Sequence, residues 1–182
     1  MNRKLVVIVG HSGAGKTTLA RMLAEKNDYA LLSENDFVFQ MNPASLQRKL
    51  RRDSDRIYGQ NILKLALTVY LGTGRSTVVE GDFVGGPLYL DDFRQLAEKN
   101  DFQFVPVMLV GEELRRRRRR LRAGGFPPVS QAQDAKMRRE ARKLGYPEEC
   151  YQIDTTKQNL AKTYSLLDEH VQNWPFLDLE LK

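Results

Sequence analysis

Short unbroken apolar runs alternate along this chain with stretches in which apolar residues recur every three or four positions. Lys4-Leu5-Val6-Val7-Ile8-Val9 is β-branched and free of polar interruption, the mark of a strand buried on both faces. Further strand candidates occupy 29–33, 77–80, 103–110 and 151–154. Between them, 18–26 has helical spacing and strong helix formers. The long stretch 43–71 ends in Ile62-Leu63-Lys64-Leu65-Ala66-Leu67, a predicted sheet-packed helix stopped near Gly72 and Gly74. Residues 87–99 predict another helix, with Pro87 near its first turn and acids early. Further helices are expected over 112–122, broken by Gly124-Gly125 and Pro127-Pro128, and over 131–144 and 157–172. Strands alternating with helices predict an α/β fold with a parallel sheet. The aromatics of Trp174-Pro175-Phe176 are expected to dock on the body.

Composition narrows the classes. A chain of 182 residues is expected to form one domain, 1–182, with a sizeable core. It holds no run of eighteen apolar residues, so no membrane span is expected. The first strand begins at once, without a stretch for a signal peptide, and the expected setting is the cytoplasm. Cys150 is the only cysteine, and His11 and His170 the only histidines, so neither a disulfide framework nor a zinc site is expected. The net charge of +6 is local: without the six arginines of Arg115 to Arg120, 23 basic residues face 23 acidic ones. That weakens a nucleic-acid partner without removing it.

The candidate chemistry begins at Gly10-His11-Ser12-Gly13-Ala14-Gly15-Lys16-Thr17, the pattern G-x-x-x-x-G-K-[ST], followed by Thr18. It lies between a predicted strand and a predicted helix, the context that a phosphate-binding P-loop requires. Glycines let the backbone curl until its N–H groups converge on a polyphosphate, and the helix N-terminus adds positive potential. Lys16 would reach the β- and γ-phosphates of ATP, and Thr17 would ligate Mg²⁺.

Acids stand at two strand ends. Asp36, after Leu31-Leu32-Ser33-Glu34-Asn35, falls in the crevice where open α/β sheets bind ligands. It could accept the proton of an attacking hydroxyl, with Glu34 as its rival, or simply cap a helix starting at Phe37. Glu80 follows the apolar run Thr77-Val78-Val79 and suits the carboxylate that holds Mg²⁺. Asp82, beyond Gly81, would face the acceptor or serve the turn.

Arginines four apart share a helix face, so Arg116 and Arg120 could close over a triphosphate as a lid spanning about 112–145. A nucleic-acid clamp and a solvated basic face are the alternatives. Residues 37–58 mix Phe37, Phe39 and Met41 with Arg48, Arg51, Arg52 and Arg56, an acceptor pocket or an amphipathic helix with a basic face. Asp154 and Thr155, closing the last strand, fit a loop against adenine, and Thr155 or Thr156 could cap the helix that follows.

These residues resemble the small P-loop kinases of the nucleoside-monophosphate-kinase-like group. The closest pattern is the subgroup of phage polynucleotide kinase, chloramphenicol phosphotransferase and the zeta toxins. Gly10 to Thr17 matches its P-loop, Asp36 its proton-accepting Asp, Glu80-Gly81-Asp82 its third-strand acids, and Arg116 with Arg120 its R-x-x-x-R lid. The resemblance implies a five-stranded parallel sheet in the order 2-3-1-4-5 and an acceptor pocket over the P-loop. Phe37-Val38-Phe39 stands where many members carry an arginine, and Gly124-Gly125-Phe126 where some carry histidines.

The leading expectation is ATP–Mg²⁺-dependent phosphoryl transfer to a hydroxyl of a small-molecule or nucleotide-like acceptor. A 5′-hydroxyl polynucleotide kinase is the alternative, with arginines on the strand and Phe37 or Phe39 stacked on a base. An ATP-hydrolysing switch is the third reading. Thr156-Lys157 is followed by Gln158-Asn159, so the guanine motif N/T-K-x-D of GTPases is missing.

Overall fold

The computed structural model describes residues 3–41, 53–83, 90–112, 135, 139, 150–156 and 158–174. Their elements are β1 (Lys4–Gly10), α1 (Lys16–Asn27), β2 (Ala30–Ser33), α2 (Glu34–Met41) and α3 (Asp53–Gly72), then β3 (Thr77–Glu80), α4 (Leu90–Lys99), β4 (Gln103–Val110), β5 (Tyr151–Asp154) and α5 (Leu160–Asn173). The five strands form one parallel sheet in the order β2-β3-β1-β4-β5. That is the expected fold.

Successive side chains of a strand point to opposite faces, and β1 divides accordingly. Leu5, Val7 and Val9 pack with Leu63, Leu67 and Leu71 of α3 and Phe93 and Ala97 of α4. Val6 and Ile8 pack with Leu19, Ala20 and Leu23 of α1 and Leu167 and Val171 of α5. Burial on both faces explains why β1 shows no polar alternation in sequence. Pro106 lies in the part of β4 that precedes the pairing with β5, which starts at Val107, so its missing N–H interrupts no bond to that strand.

Polar ties hold the α1–α5 layer. The buried Lys4 ammonium donates to the carbonyls of Val171 and Gln172 at the end of α5, where helix carbonyls lack internal partners. Burial holds its pKa below the ordinary lysine value. Lys26 and Asn27 of α1 donate to Asp168 of α5 at 2.9 and 3.2 Å.

Two helix starts differ from expectation. The N-cap of α5 is Asn159, whose side chain accepts from the N–H of Lys162 at 2.8 Å. The Thr155 hydroxyl is spent instead on the Val110 carbonyl, and that of Thr156 on the N–H of Glu112. Helix α2 begins at Glu34 and not at Phe37, so Asp36 lies in its first turn and is not its cap. Trp174 does dock, edge-on to His170 with ring centroids 5.1 Å apart, and His170 stacks on Tyr151. Phe176 lies outside the described residues. No helix among the described residues is long and apolar enough to cross a membrane.

Candidate active site

Register places the chemistry. Ser33, Glu80 and Ile8 occupy one row across β2, β3 and β1, so the last residues of two strands flank the start of the glycine-rich turn. The turn bends through Gly13 and Gly15 at φ 83° and 100°, a backbone region that a side chain disfavours. It closes with the N–H of Ala14 donating to the His11 carbonyl at 3.0 Å, and α1 starts at Lys16.

Lys16 is buried, and its ammonium donates to the Gly10 carbonyl at 2.7 Å, the His11 carbonyl at 3.3 Å and Asp82 Oδ1 at 2.5 Å. Thr17 and Thr18 lie exposed on the first turn of α1. The Thr17 hydroxyl donates to Glu80 Oε1 at 3.1 Å, and Ser33 Oγ donates to the same oxygen at 2.5 Å. Glu80 Oε2 is buried and has no hydrogen-bond partner among the described residues. Burial pushes the Glu80 carboxyl above the usual carboxylate range. The Lys16 charge and the two hydroxyls pull it back, and the Asp82 charge pushes it up again.

An unpartnered carboxylate oxygen beside a threonine hydroxyl fits Mg²⁺, which takes hard oxygen ligands and needs only one or two from protein. No group of three His, Cys, Asp or Glu able to hold a metal occurs among the described residues.

The two acids after β2 part company. Asp36 is exposed on α2, next to half-buried Phe37. Glu34 is buried: Oε2 accepts the N–H groups of Asp82 and Phe83 at 2.8 and 3.2 Å, and Oε1 accepts from Gln60 Nε2 of α3 at 2.6 Å. At the opposite side, Asp154 is exposed and accepts the N–H of Thr156 at 2.7 Å, while Thr155 is buried against the end of β4. Arg52, Arg116 and Arg120 lie outside the described residues, as does the expected lid over about 112–145 apart from Glu112, Ala135 and Arg139.

The structure thus brings Lys16, Thr17, Glu80 and Asp82 together through direct hydrogen bonds, while Asp36 lies exposed in the first turn of α2. Ser33 and Gln60 are the members that sequence reasoning missed. Ser33 carried a signal, as the last residue of a strand paired to the one ending in Glu80. Gln60 carried none, since a glutamine within a helix is ordinarily solvated.

Residues 5–144 match the family described as AAA domain. Over 96% of this chain and 98% of that one, the fold is similar to a sugar kinase from Janibacter sp., with 18% identity and a TM-score of 0.66. A gluconokinase from Sinorhizobium meliloti is 20% identical over 93% of this chain and 95% of its own, with a TM-score of 0.60. A shikimate kinase from Acinetobacter baumannii, in complex with shikimate, is 21% identical over 99% and 96%, with a TM-score of 0.55. At such identities the similarity is one of fold. No curated protein matches the sequence.

Proposed function

We propose, from the premise that this chain belongs to the AAA domain family of P-loop proteins, that it is an ATP-dependent phosphotransferase acting on a hydroxyl of a small-molecule or nucleotide-like acceptor. The observation that carries this reading is the buried, unpartnered Oε2 of Glu80, whose other oxygen accepts from Thr17, the residue next to Lys16. A merely structural carboxylate would have found donors for both oxygens.

In this reading the backbone of Gly10, Ser12, Gly13, Ala14 and Gly15, with Lys16 and Thr18, receives the polyphosphate. Thr17 and Glu80 would hold Mg²⁺, which when bound neutralises charge on the β- and γ-phosphate oxygens. Asp36 takes the proton of the acceptor hydroxyl as its oxygen bonds to the γ-phosphorus and the bond to the β-bridging oxygen breaks, releasing ADP. Phe37, Arg52 and Asp82 bound the acceptor side, Asp154 and Thr155 the adenine side, and Arg116 and Arg120 close the lid over about 112–145. Exposure of Asp36 leaves its carboxylate open to an incoming hydroxyl, which the enclosed Glu34 is not.

The neighbours in fold are named as sugar, gluconate and shikimate kinases, which puts small hydroxylated compounds first among acceptors. The resemblance to phage polynucleotide kinase, chloramphenicol phosphotransferase and zeta toxins adds nucleosides, antibiotics and 5′-hydroxyl oligonucleotides. The test is transfer of labelled γ-phosphate from ATP–Mg²⁺ to such a panel, with Asp36→Ala alongside. Label on one acceptor, lost in Asp36→Ala while ATP still binds, supports the reading and names the substrate. Release of free phosphate alone, unchanged by the substitution, overturns it in favour of a hydrolytic switch.

A further inference from the structure

We propose that Glu34 is a positioning residue whose buried carboxylate clamps the backbone after β3 and thereby holds Asp82 against Lys16. The proposal rests on the nucleotide-site reading above and assigns that site a part outside the P-loop. Glu34 leaves only 2% of its surface exposed at the junction of β2 and α2, yet it acts on another strand's loop. Its Oε2 receives two successive backbone N–H groups, of Asp82 and Phe83, the arrangement by which a turn binds an anion. Phe83 adopts φ 50°, left-handed for a bulky residue, and is fully buried with its ring 4.9 Å from that of Phe93. A conformation of this kind persists only where its surroundings impose it, and Glu34 and the Phe93 contact do so from two sides.

Gly81 completes the clamp. A Cβ there would stand 2.7 Å from both Glu34 Cβ and Oε2, so the carboxylate packs directly on bare backbone. Gln60 anchors the other oxygen from α3. The backbone of Asp82 is therefore fixed on one side by Glu34 while its carboxylate is paired with Lys16 on the other. In this state Asp82 competes with phosphate for the Lys16 charge, so the affinity for free ATP reports where Asp82 is held.

The experiment is calorimetric titration of ATP without Mg²⁺ into wild type, Asp82→Asn, Glu34→Ala, Glu34→Gln and the double variant Glu34→Ala/Asp82→Asn. Asp82→Asn is expected to tighten binding about 5- to 10-fold, the low end of the coupling between two sites. Glu34→Ala should reproduce most of that gain, and the double variant should add nothing to Asp82→Asn. Glu34→Gln, whose amide oxygen still accepts both N–H groups, should stay near wild type. If Glu34→Ala does not fold, Glu34→Asp, whose shorter side chain withdraws the carboxylate from the N–H groups of Asp82 and Phe83, must produce the same tightening. Wild-type affinity in Glu34→Ala, or in Glu34→Asp in its place, full additivity in the double variant, or no effect of Asp82→Asn overturns the proposal alone. Wild type that binds no ATP overturns the nucleotide-site reading, and this inference with it.

Discussion

The Lys16 ammonium lies 2.5 Å from Asp82 Oδ1, with side-chain exposures of 8% and 19%, so the P-loop cation is held by a carboxylate from the neighbouring strand's loop. All three ammonium protons are engaged, the other two by the carbonyls of Gly10 and His11. The site is thus preorganised for negative charge: a phosphate oxygen entering it would replace one anion by another without stranding the lysine. Lys16→Ala removes the charge that the transferring phosphoryl group would meet. Loss of one such preorganised donor costs about 100- to 1000-fold in rate, and transfer from ATP–Mg²⁺ should fall by that much. Circular dichroism should show the fold kept, because Ala favours the first turn of α1.

Ser33 is expected to set the acid limb of activity. Its hydroxyl donates to Glu80, a bond that favours the ionised carboxylate and opposes the upward push of burial. Ser33→Ala therefore raises the Glu80 pKa further. Only ionised Glu80 serves as the proposed metal ligand, so activity should rise with pH through a limb above the ordinary carboxylate range. In Ser33→Ala that limb should move to higher pH while the plateau rate changes little. A pH profile of kcat/KM with the same limb in both proteins would remove Ser33, and Glu80 with it, from that role.

The central strands were legible because parallel strands buried on both faces must read as apolar runs; Thr77–Glu80, Gln103–Val110 and the largely exposed Tyr151–Asp154 have the expected bounds. Their order came from the resemblance of the motifs, since no local signal says which strands are neighbours. At the ends of elements the chain is ambiguous. Glu34 and Asp36 are both acids after a strand, and what separates them is tertiary: the bare backbone of Gly81 and the Gln60 amide admit the longer side chain. Thr155 and Thr156 look like helix caps, but strand β4 ends close enough to take the first hydroxyl, and Asn159 caps in their place. Asp82 carries no sequence signal for its bond with Lys16, because the two are brought together only by the pairing of β1 with β3.

Gly59 sets how closely α2 approaches α3. A Cβ there would lie 2.6 Å from Val38 Cγ2 and 2.8 Å from Val38 Cα, and the second atom is backbone that cannot turn aside. Gly59→Ala must push α2 outward. Overpacking of this kind costs about 1–3 kcal/mol, offset by roughly 1 kcal/mol of better helix propensity. The melting temperature should fall by up to about 8 °C, at roughly 2–4 °C per kcal/mol for a chain of this size. Because α2 carries Asp36 and not the P-loop, kcat should drop while the Kd for ATP–Mg²⁺ stays within about twofold, a range of a few tenths of a kcal/mol. Equal losses in both would show that α2 positions the nucleotide instead.

Glu80→Gln should separate function from stability. The folded protein holds the Glu80 carboxyl above its unfolded pKa, because burial and the Asp82 charge together outweigh Lys16 and the two hydroxyls. The sign follows from linkage. Below the unfolded pKa both states are protonated and nothing is lost. As pH rises, the unfolded chain ionises first, and the fold loses stability until the folded pKa is passed, after which the penalty stays constant. Glutamine keeps an oxygen for the hydroxyls of Thr17 and Ser33 and carries no charge to bury, so it escapes the penalty. Denaturant midpoints of wild type and Glu80→Gln should coincide in acid, diverge in the variant's favour above the ordinary carboxylate pKa, and then run parallel. Transfer should meanwhile fall about 100-fold or more, as expected when a preorganised charge at a phosphoryl-transfer site is lost. A variant less stable than wild type at neutral pH would mean that the Lys16 attraction dominates Glu80, and that its free oxygen is no reserve for a cation.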